Sequence, residues 1–432
     1  MSVGAISWRL AAAVVILFFL LSVPQTGGQT PSATPGGIPP GANGQPPAVA
    51  TGADVVLETP AILQGKRIGL VTHQAGLVAD GRRTADALAR ASGLRLTALF
   101  APEHGIDGSY DAGEPVPSIA SRTPVYSLFG AVFQPTRQML SRVDVLVVDL
   151  QDVGVRPYTY ASTMASVMIA AKQAGKPVVI LDRPNPLGGL TIDGPVLEPE
   201  FRSFIGPYPI PYVFGMTIGE LARLYNSAFG IGADLTVVPM RGWNRAMTWT
   251  DTGLRWENPS PGITSPEAPF YYAATGPVDG TNIWNGVATE SRFQVVLASW
   301  IDGPALAERL NRHDLPGVRF TPSAIPYPHT GQIWNGVRLH VTDPARFRPS
   351  TTIVYVLAEI RRLHLDKFTF RQPRRGPYLF DLVWGTKTLR LALSKGEPAS
   401  AIVARWQPAL ERFQNLRKPH LLYPQPGGAG HR

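Results

Sequence analysis

The sequence predicts an α/β protein, a Rossmann-like doubly wound parallel sheet domain with a smaller α+β C-terminal domain. Three observations carry this. Short apolar runs with no polar face alternate with helical patterns over the first half of the chain, as in a parallel sheet covered on both sides. The chain has 432 residues, more than the roughly 250–300 that one core supports. From Ile263 the pattern changes to mixed short strands and helices.

The elements follow in order. Arg67 to Thr72 (RIGLVT) reads as a buried strand. Thr84 to Ala91 reads as a helix capped by Thr84, and Leu94 to Phe100 as a strand. Pro124 to Phe129 is a weaker strand, and Pro135 to Arg142 a helix opened by proline. Val143 to Leu150 and Pro177 to Asp182 are strands apolar on both faces, separated by a helix over Ser162 to Gly175. A capped helix over Thr217 to Gly230 and a strand over Asp234 to Met240 complete the first domain, residues 53–262. The second, residues 263–425, carries a strand over Gly336 to Asp343. Its helices cover Gly303 to Arg312, Thr351 to Leu363, Thr386 to Gly396 and Ala399 to Phe413.

Ahead of these domains stand two other segments. Arg9 precedes a fourteen-residue apolar run, Leu10 to Val23, which Pro24 ends. This is too short for a comfortable membrane span and has the form of a secretory signal. Residues 1–24 therefore read as a signal peptide or, if uncleaved, an N-terminal membrane anchor. Residues 25–52 are uncharged and rich in Pro and Gly, a composition that reads as a disordered linker. Both place the body outside the cytoplasmic membrane, in the cell envelope, as a periplasmic or extracellular protein. The tail after residue 425 reads as frayed.

Composition narrows the chemistry. Apolar residues make up 44% and charged residues 16%, which suits a globular protein. The absence of cysteine excludes disulfides, thiolate zinc sites, iron–sulfur clusters and a cysteine nucleophile. The net charge of +9 is spread along the chain without a basic block, so nucleic acid is not an expected partner. The first strand runs into THQAGLVADG, which holds neither a dinucleotide fingerprint nor a P-loop. No cofactor and no metal are expected.

In open parallel sheets, ligands bind beyond the carboxyl ends of the strands. Polar residues gather there. The first strand leads to His73, and the second into APEHGIDG, with Glu103, His104 and Asp107. The next leads from Asp149 into Gln151, Asp152, Arg156, Tyr158 and Tyr160. The fourth leads to Asp182, Arg183 and Asn185. Asp149 and Asp182 also have a structural reading, as partners of backbone in the strand or in the rigid DRPNP loop. Trp243, Trp249, Trp256, Trp284 and Trp334 supply aromatic faces that suit either sugar rings or packing between domains.

The ordered motifs APEHGIDG, DAGE (Asp111 to Glu114), DLQDVGVRPYTY (Asp149 to Tyr160), LDRPNPLGG (Leu181 to Gly189), PSPG (Pro259 to Gly262) and DGTN (Asp279 to Asn282) bring a family into view. Taken together they make the chain resemble the bacterial exo-β-N-acetylmuramidases, glycoside hydrolases of peptidoglycan turnover formerly listed as a domain of unknown function. The resemblance covers about residues 55 to 420. It implies release of N-acetylmuramic acid from the non-reducing end of peptidoglycan-derived saccharides, in a cleft between the two domains. Glu103 matches the family's catalytic glutamate, with His104 its motif neighbour. The resemblance further implies a substrate site including His73, Glu114, Gln151, Asp152, Arg156, Tyr158, Asp182, Arg183, Asn185 and Asn282. The chain departs from the family where Asn285 and Val287 replace a usual Glu and Arg.

The chemistry fits this expectation. A glycosidase needs an acid to protonate the leaving oxygen and a group to stabilise an oxocarbenium-like centre. Glu103 is the expected acid. The second group is Asp152 or Glu114, or the sugar's own 2-acetamido group. Arg156 and Arg183 are the expected partners of the lactyl carboxylate. Two rivals remain: a metal-dependent hydrolase using His73, Glu103, His104, Asp149 and Asp182, and a non-catalytic saccharide-binding protein of the same fold.

Overall fold

The computed structural model describes residues 49–425. Both N-terminal segments up to residue 48, and the tail from 426, lie outside them. Six parallel strands form the main sheet: β1 (Arg67–Thr72), β2 (Arg95–Ala101), β3 (Val125–Ser127), β4 (Val145–Asp149), β5 (Val178–Leu181) and β8 (Leu235–Val238), in the order β3-β2-β1-β4-β5-β8. The order reverses between β1 and β4, which pair from Ile68–Val145 to Thr72–Asp149. A crevice opens at such a reversal.

The two-faced strands explain the layers. In β4, Val145 and Val147 enter one core and Leu146 and Val148 the other. In β5, Val179 and Leu181 face the first core, and Val178 and Ile180 the second. This is the period-2 alternation of a sheet buried on both sides. Gly69 of β1 must be small. A Cβ there would come within 2.7 Å of Val143 Cγ1 and 2.9 Å of Phe100 Cε2.

Helices α1 (Gly52–Glu58) and α2 (Thr84–Arg90) pack with the first core. The assigned linker therefore ends earlier than its composition implied. Val49 is buried, Ala50 bridges Arg241, and Thr51 caps α1 in a capping box with Asp54. Thr84 does not cap α2. It begins the helix, buried, with its N–H on the Gly76 carbonyl at 2.8 Å. Helix α3 (Arg137–Leu140) is a single turn capped by Thr136. Helix α4 (Tyr160–Gln173) is buried over most of its length, as expected of a helix enclosed on several sides. Helix α5 (Ile218–Ser227) is capped by Thr217 with Glu220. A two-stranded sheet, β6 (Asp193–Val196) with β7 (Pro211–Val213), precedes it.

The C-terminal unit pairs β9 (Val295–Ala298), β10 (Val318–Pro326) and β11 (Ile333–Val341) antiparallel, in the order β10-β11-β9. Its helices are α6 (Ala268–Thr275), α7 (Gly303–Arg312), α8 (Pro349–Leu363), α9 (Leu379–Trp384), α10 (Thr388–Ser394), α11 (Ala399–Ala404) and α12 (Gln407–Arg417). The continuous helix expected over Ala399 to Phe413 is broken in two. Pro408 has no N–H to give and its ring would clash one turn back, so the chain restarts with proline in the new first turn.

One core runs through both units without a break, from Val148 and Met164 to Leu357 and Trp406. Polar locks accompany it. Asp193 of β6 accepts the Thr351 N–H at 2.9 Å and the Thr351 hydroxyl at 2.8 Å, so it caps α8 from the other unit. Arg417 of α12 donates to the Gly215 carbonyl at 2.5 Å.

The strand ends are held by a buried ion pair. Arg183 Nε donates to Asp149 Oδ1 at 2.6 Å and its Nη2 to Oδ2 at 2.9 Å, with both side chains almost fully buried. Nη2 also donates to the Leu77 carbonyl at 2.7 Å. Asp149→Ala is expected to cost about 3–5 kcal/mol, because it leaves a buried cation unpaired. The double change Asp149→Leu with Arg183→Met is expected to cost less than either single change. Equilibrium urea unfolding of wild type, Asp149→Ala, Asp149→Leu, Arg183→Met and the double change measures this directly.

Candidate active site

Glu103 follows β2 in a tight turn, with the Gly105 N–H on the Pro102 carbonyl at 3.1 Å. Its carboxylate is buried and held at both oxygens. Oε1 accepts the Gly113 N–H at 2.7 Å and Oε2 the Thr159 hydroxyl at 2.5 Å. His104 adopts a left-handed backbone with φ +71°, uncommon for a residue with a Cβ and frequent where function dictates geometry. Its Nδ1 bonds the Tyr110 carbonyl at 2.8 Å, which fixes the ring beside the turn.

The β4 end supplies the second carboxylate. Asp152 Oδ1 accepts the Gly154 N–H at 2.7 Å, while Oδ2 is buried without a well-directed hydrogen bond. Burial pushes the carboxyl up to about 7, against the opposing backbone N–H groups of Gly154, Val153 and Ala161. Gly154 has φ +83°, and a Cβ there would lie 2.3 Å from Asn185 Oδ1. Asn185 therefore shapes the turn that presents Asp152. Its own amide is committed to the Leu187 N–H and the Met216 carbonyl, both at 2.9 Å.

Three tyrosines surround the two carboxylates. Tyr160 donates to the Pro259 carbonyl at 2.8 Å, and its phenol is held well above its ordinary value by burial and then by the Glu103 charge. Tyr158 meets Tyr160 edge-on at 4.8 Å and Tyr272 of α6 at 6.2 Å. Its hydroxyl lies beside Ser260 without a well-directed hydrogen bond. Tyr272 and the Ser260 loop thus bring the later part of the chain against the strand ends.

His73 joins β1 to β4. Its Nε2 accepts the Gln151 N–H at 3.0 Å, and Nδ1 faces the Tyr160 hydroxyl at 3.4 Å. Burial, then the charges of Arg183 and His104, hold the ring well below its ordinary value. It is a neutral acceptor that aligns two strand ends. Gln151 donates to the Asp152 and Pro184 carbonyls, and its Oε1 is left buried without a partner. Gln74 lies against the His73 ring and donates to the Asn258 carbonyl at 2.8 Å.

Several expected substrate residues already have partners within the protein. Arg156 is fully buried and donates to the carbonyls of Pro195, Ile210 and Val383 at 2.8–3.1 Å, so it braces backbone from both units. Arg183 is spent on Asp149. Neither is free for a lactyl carboxylate. Asp182 accepts four donors: the N–H groups of Arg183 and Gly219, and the hydroxyls of Thr217 and Tyr423. It anchors the start of α5. Asn282 bonds the Lys367 carbonyl and the Thr369 N–H. Glu114 is exposed and accepts the Asp111 N–H of its own loop. Asn285, where the family usually has Glu, is buried with its amide on the Thr275 carbonyl.

The tryptophans pack on aromatic neighbours: Trp243 on Tyr423, Trp249 on Trp256, and Trp284 and Trp334 around Tyr327. No cluster of three His, Asp or Glu groups suited to a metal ion occurs among the described residues. Sequence reasoning missed Thr159, Gly113, Gln74 and Tyr272. Thr159 lay inside the quoted VRPYTY run, next to the tyrosines. Gly113 acts through its backbone and leaves no side-chain signal.

A family model described as "Exo-beta-N-acetylmuramidase NamZ, N-terminal" matches residues 68–267, and its C-terminal counterpart matches residues 270–423. The peptidoglycan β-N-acetylmuramidase NamZ of Bacillus subtilis (strain 168) is 43% identical over 384 residues, covering 87% of this chain and 92% of that protein. A DUF1343 family protein of Bacteroides fragilis, known from a crystal structure, has a TM-score of 0.80 and 35% identity, covering 87% of this chain and 99% of that one. A second from the same organism has a TM-score of 0.65 and 26% identity, with the same coverage. The fold, the site motifs and the match over nearly the whole described body agree: the chain belongs to the exo-β-N-acetylmuramidase NamZ family.

Proposed function

We propose that this protein is an exo-acting glycoside hydrolase that releases N-acetylmuramic acid from the non-reducing end of peptidoglycan fragments. The observation that carries the reading is the pair of buried carboxylates beyond the ends of β2 and β4, the two strands that flank β1, Glu103 and Asp152, walled by Tyr158, Tyr160 and Tyr272. Beside them lie acceptor atoms with no well-directed protein partner, Asp152 Oδ2 and Gln151 Oε1. Buried polar atoms are normally paired, so unpaired ones in a crevice suit the hydroxyl and amide donors of a sugar. The family description and the activity named for the Bacillus subtilis relative support the same substrate.

Glu103 is assigned as general acid to the leaving oxygen. Thr159 and the Gly113 N–H hold it in one orientation. Asp152 is favoured over Glu114 as the second group. Glu114 is exposed and tied to its own loop, whereas Asp152 keeps a buried oxygen for the acetamido N–H or the anomeric centre. We further infer export to the cell envelope, from the Arg9 and Leu10–Val23 pattern. Among the described residues no helix is long and apolar enough to cross a membrane.

Glu103→Gln is expected to lower turnover of a disaccharide about 10²–10⁴-fold, the usual worth of general acid catalysis. It is expected to lower turnover of an activated aryl β-N-acetylmuraminide far less. Equal losses on both would reassign Glu103 as nucleophile or orienter. Binding without turnover by the wild-type chain would select the binding-protein reading.

The Asp152 carboxyl, raised to about 7, binds a proton in the folded state that the unfolded chain releases near its ordinary value of about 3.9. Its stabilising contribution is complete below that lower value and is lost as pH rises through about 7. Asp152→Asn is expected to flatten the fall in stability across this window, as followed by urea unfolding at stepped pH. Cell fractionation tests the location; recovery of the full-length protein from the cytosol would refute export.

A further inference from the structure

N-acetylmuramic acid differs from N-acetylglucosamine by a 3-O-lactyl group, which ends in a carboxylate. A site selective for the former needs a cation or a comparable set of donors at its rim. Arg156 and Arg183 are locked elsewhere, and His73 is held neutral. The loop between α6 and β9 offers another cation. Arg292 is half-buried, and its Nη1 donates to the Pro261 carbonyl at 2.9 Å. Pro261 closes the segment in which Pro259 receives the Tyr160 hydroxyl and Ser260 lies beside Tyr158. The next residue, Phe293, packs edge-on against Tyr272 at 5.1 Å. Arg292 is thereby fixed to the rim of the carboxylate pair's tyrosine wall.

Its guanidinium, like those of Arg156 and Arg417, has no carboxylate hydrogen-bond partner, but it is half-buried rather than enclosed. Half-buried or buried Arg183, Arg245, Arg309 and Arg390 each pair with a carboxylate. Arg292 bonds a neutral carbonyl. Arg338, half-buried at the same loop, bonds only the Gln294 amide oxygen and the Ser291 hydroxyl, both at 2.6 Å. Among the described residues neither has a carboxylate within ion-pair distance. Glu290, two residues away, is exposed. Two guanidinium groups without a carboxylate partner, Arg292 on the loop and Arg338 reaching it from β11, leave a local positive field, and a carboxylate of the substrate would balance it.

We propose that Arg292 pairs with the lactyl carboxylate and sets selectivity for N-acetylmuramic acid over neutral N-acetylhexosamines. The proposal rests on the muramidase reading for its ligand, but its test does not depend on turnover. The probes are N-acetylmuramic acid, its lactyl amide and N-acetylglucosamine, titrated calorimetrically into the full chain. The wild-type protein is expected to favour the acid over the amide by about 10- to 100-fold, the range of a charge-assisted hydrogen bond. Arg292→Gln keeps a donor for the Pro261 carbonyl and removes the charge; it is expected to bring the acid-to-amide ratio close to one. Arg292→Lys should restore part of it. With an aryl β-N-acetylmuraminide as substrate, Arg292→Gln should raise KM by the same factor and leave kcat nearly unchanged.

A preference for the acid that survives in Arg292→Gln overturns the proposal. So does a wild-type protein that binds acid and amide equally, a result independent of how any variant folds. If the wild-type chain binds the acid through Arg292 but cleaves no muraminide, the hydrolase reading fails and this assignment stands.

Discussion

The buried Asp149–Arg183 pair is the constraint on which the site depends. Asp149 ends β4, and Arg183 begins the loop after β5; the same guanidinium reaches the carbonyl of Leu77 beyond β1. Three loops that would otherwise move separately share one charge pair. Gly76 shows how little room remains, since a Cβ there would fall 2.3 Å from Thr72 Oγ1 and 2.9 Å from Asp149 Oδ2. Such a pair contributes little net stability compared with apolar packing, because desolvation opposes it. Its value lies in position. It fixes where β4 stops, and Gln151 and Asp152 are reached only two and three residues later.

The arginines illustrate a wider division of labour. Arg156, Arg245 and Arg417 are all buried, and all donate to backbone carbonyls. An irregular loop brought into a core carries carbonyl groups that need donors. A planar guanidinium with five N–H groups can satisfy several at once. Arg156 does so for carbonyls of both units, joining Pro195 and Ile210 to Val383. The loop-rich texture forecast by so many Gly and Pro residues is stabilised in this way, alongside the apolar core that spans the units.

Much of this was legible in the sequence, for physical reasons. Apolar runs without a polar face fixed the parallel sheet, and polar residues after those runs marked its carboxyl edge. Glu103, Asp152 and Tyr158 emerge from that logic. Arg156, Asp182 and Arg183 were equally polar and equally placed, yet they turn inward. A strand-end side chain can face the crevice or satisfy loop backbone, and residue type alone does not distinguish the two. Asp182 depends on Tyr423, which lies 241 residues away along the chain. No local pattern contains that contact. Arg292 was obscured for a related reason, since its relevance comes from the Pro261 carbonyl on a different segment.

The Asp182–Tyr423 bond also has a temporal meaning. The Tyr423 hydroxyl meets Asp182 Oδ2 at 2.5 Å, and the neighbouring Leu422 N–H meets Glu220 Oε1 at 2.8 Å. Glu220 lies in the first turn of α5, and Asp182 after β5 anchors that turn through Thr217 and Gly219; both emerge during synthesis about two hundred residues before Leu422 and Tyr423, an interval of tens of seconds at ribosomal speeds of about 5–20 residues per second. Until that segment packs, Asp182 has the Thr217 hydroxyl and the Arg183 and Gly219 N–H groups and Glu220 has Arg245, each one donor short of its final set. The first unit therefore cannot reach its final state as each strand appears. It waits for Leu422 and Tyr423 to return and close it, which makes that segment a late checkpoint in maturation.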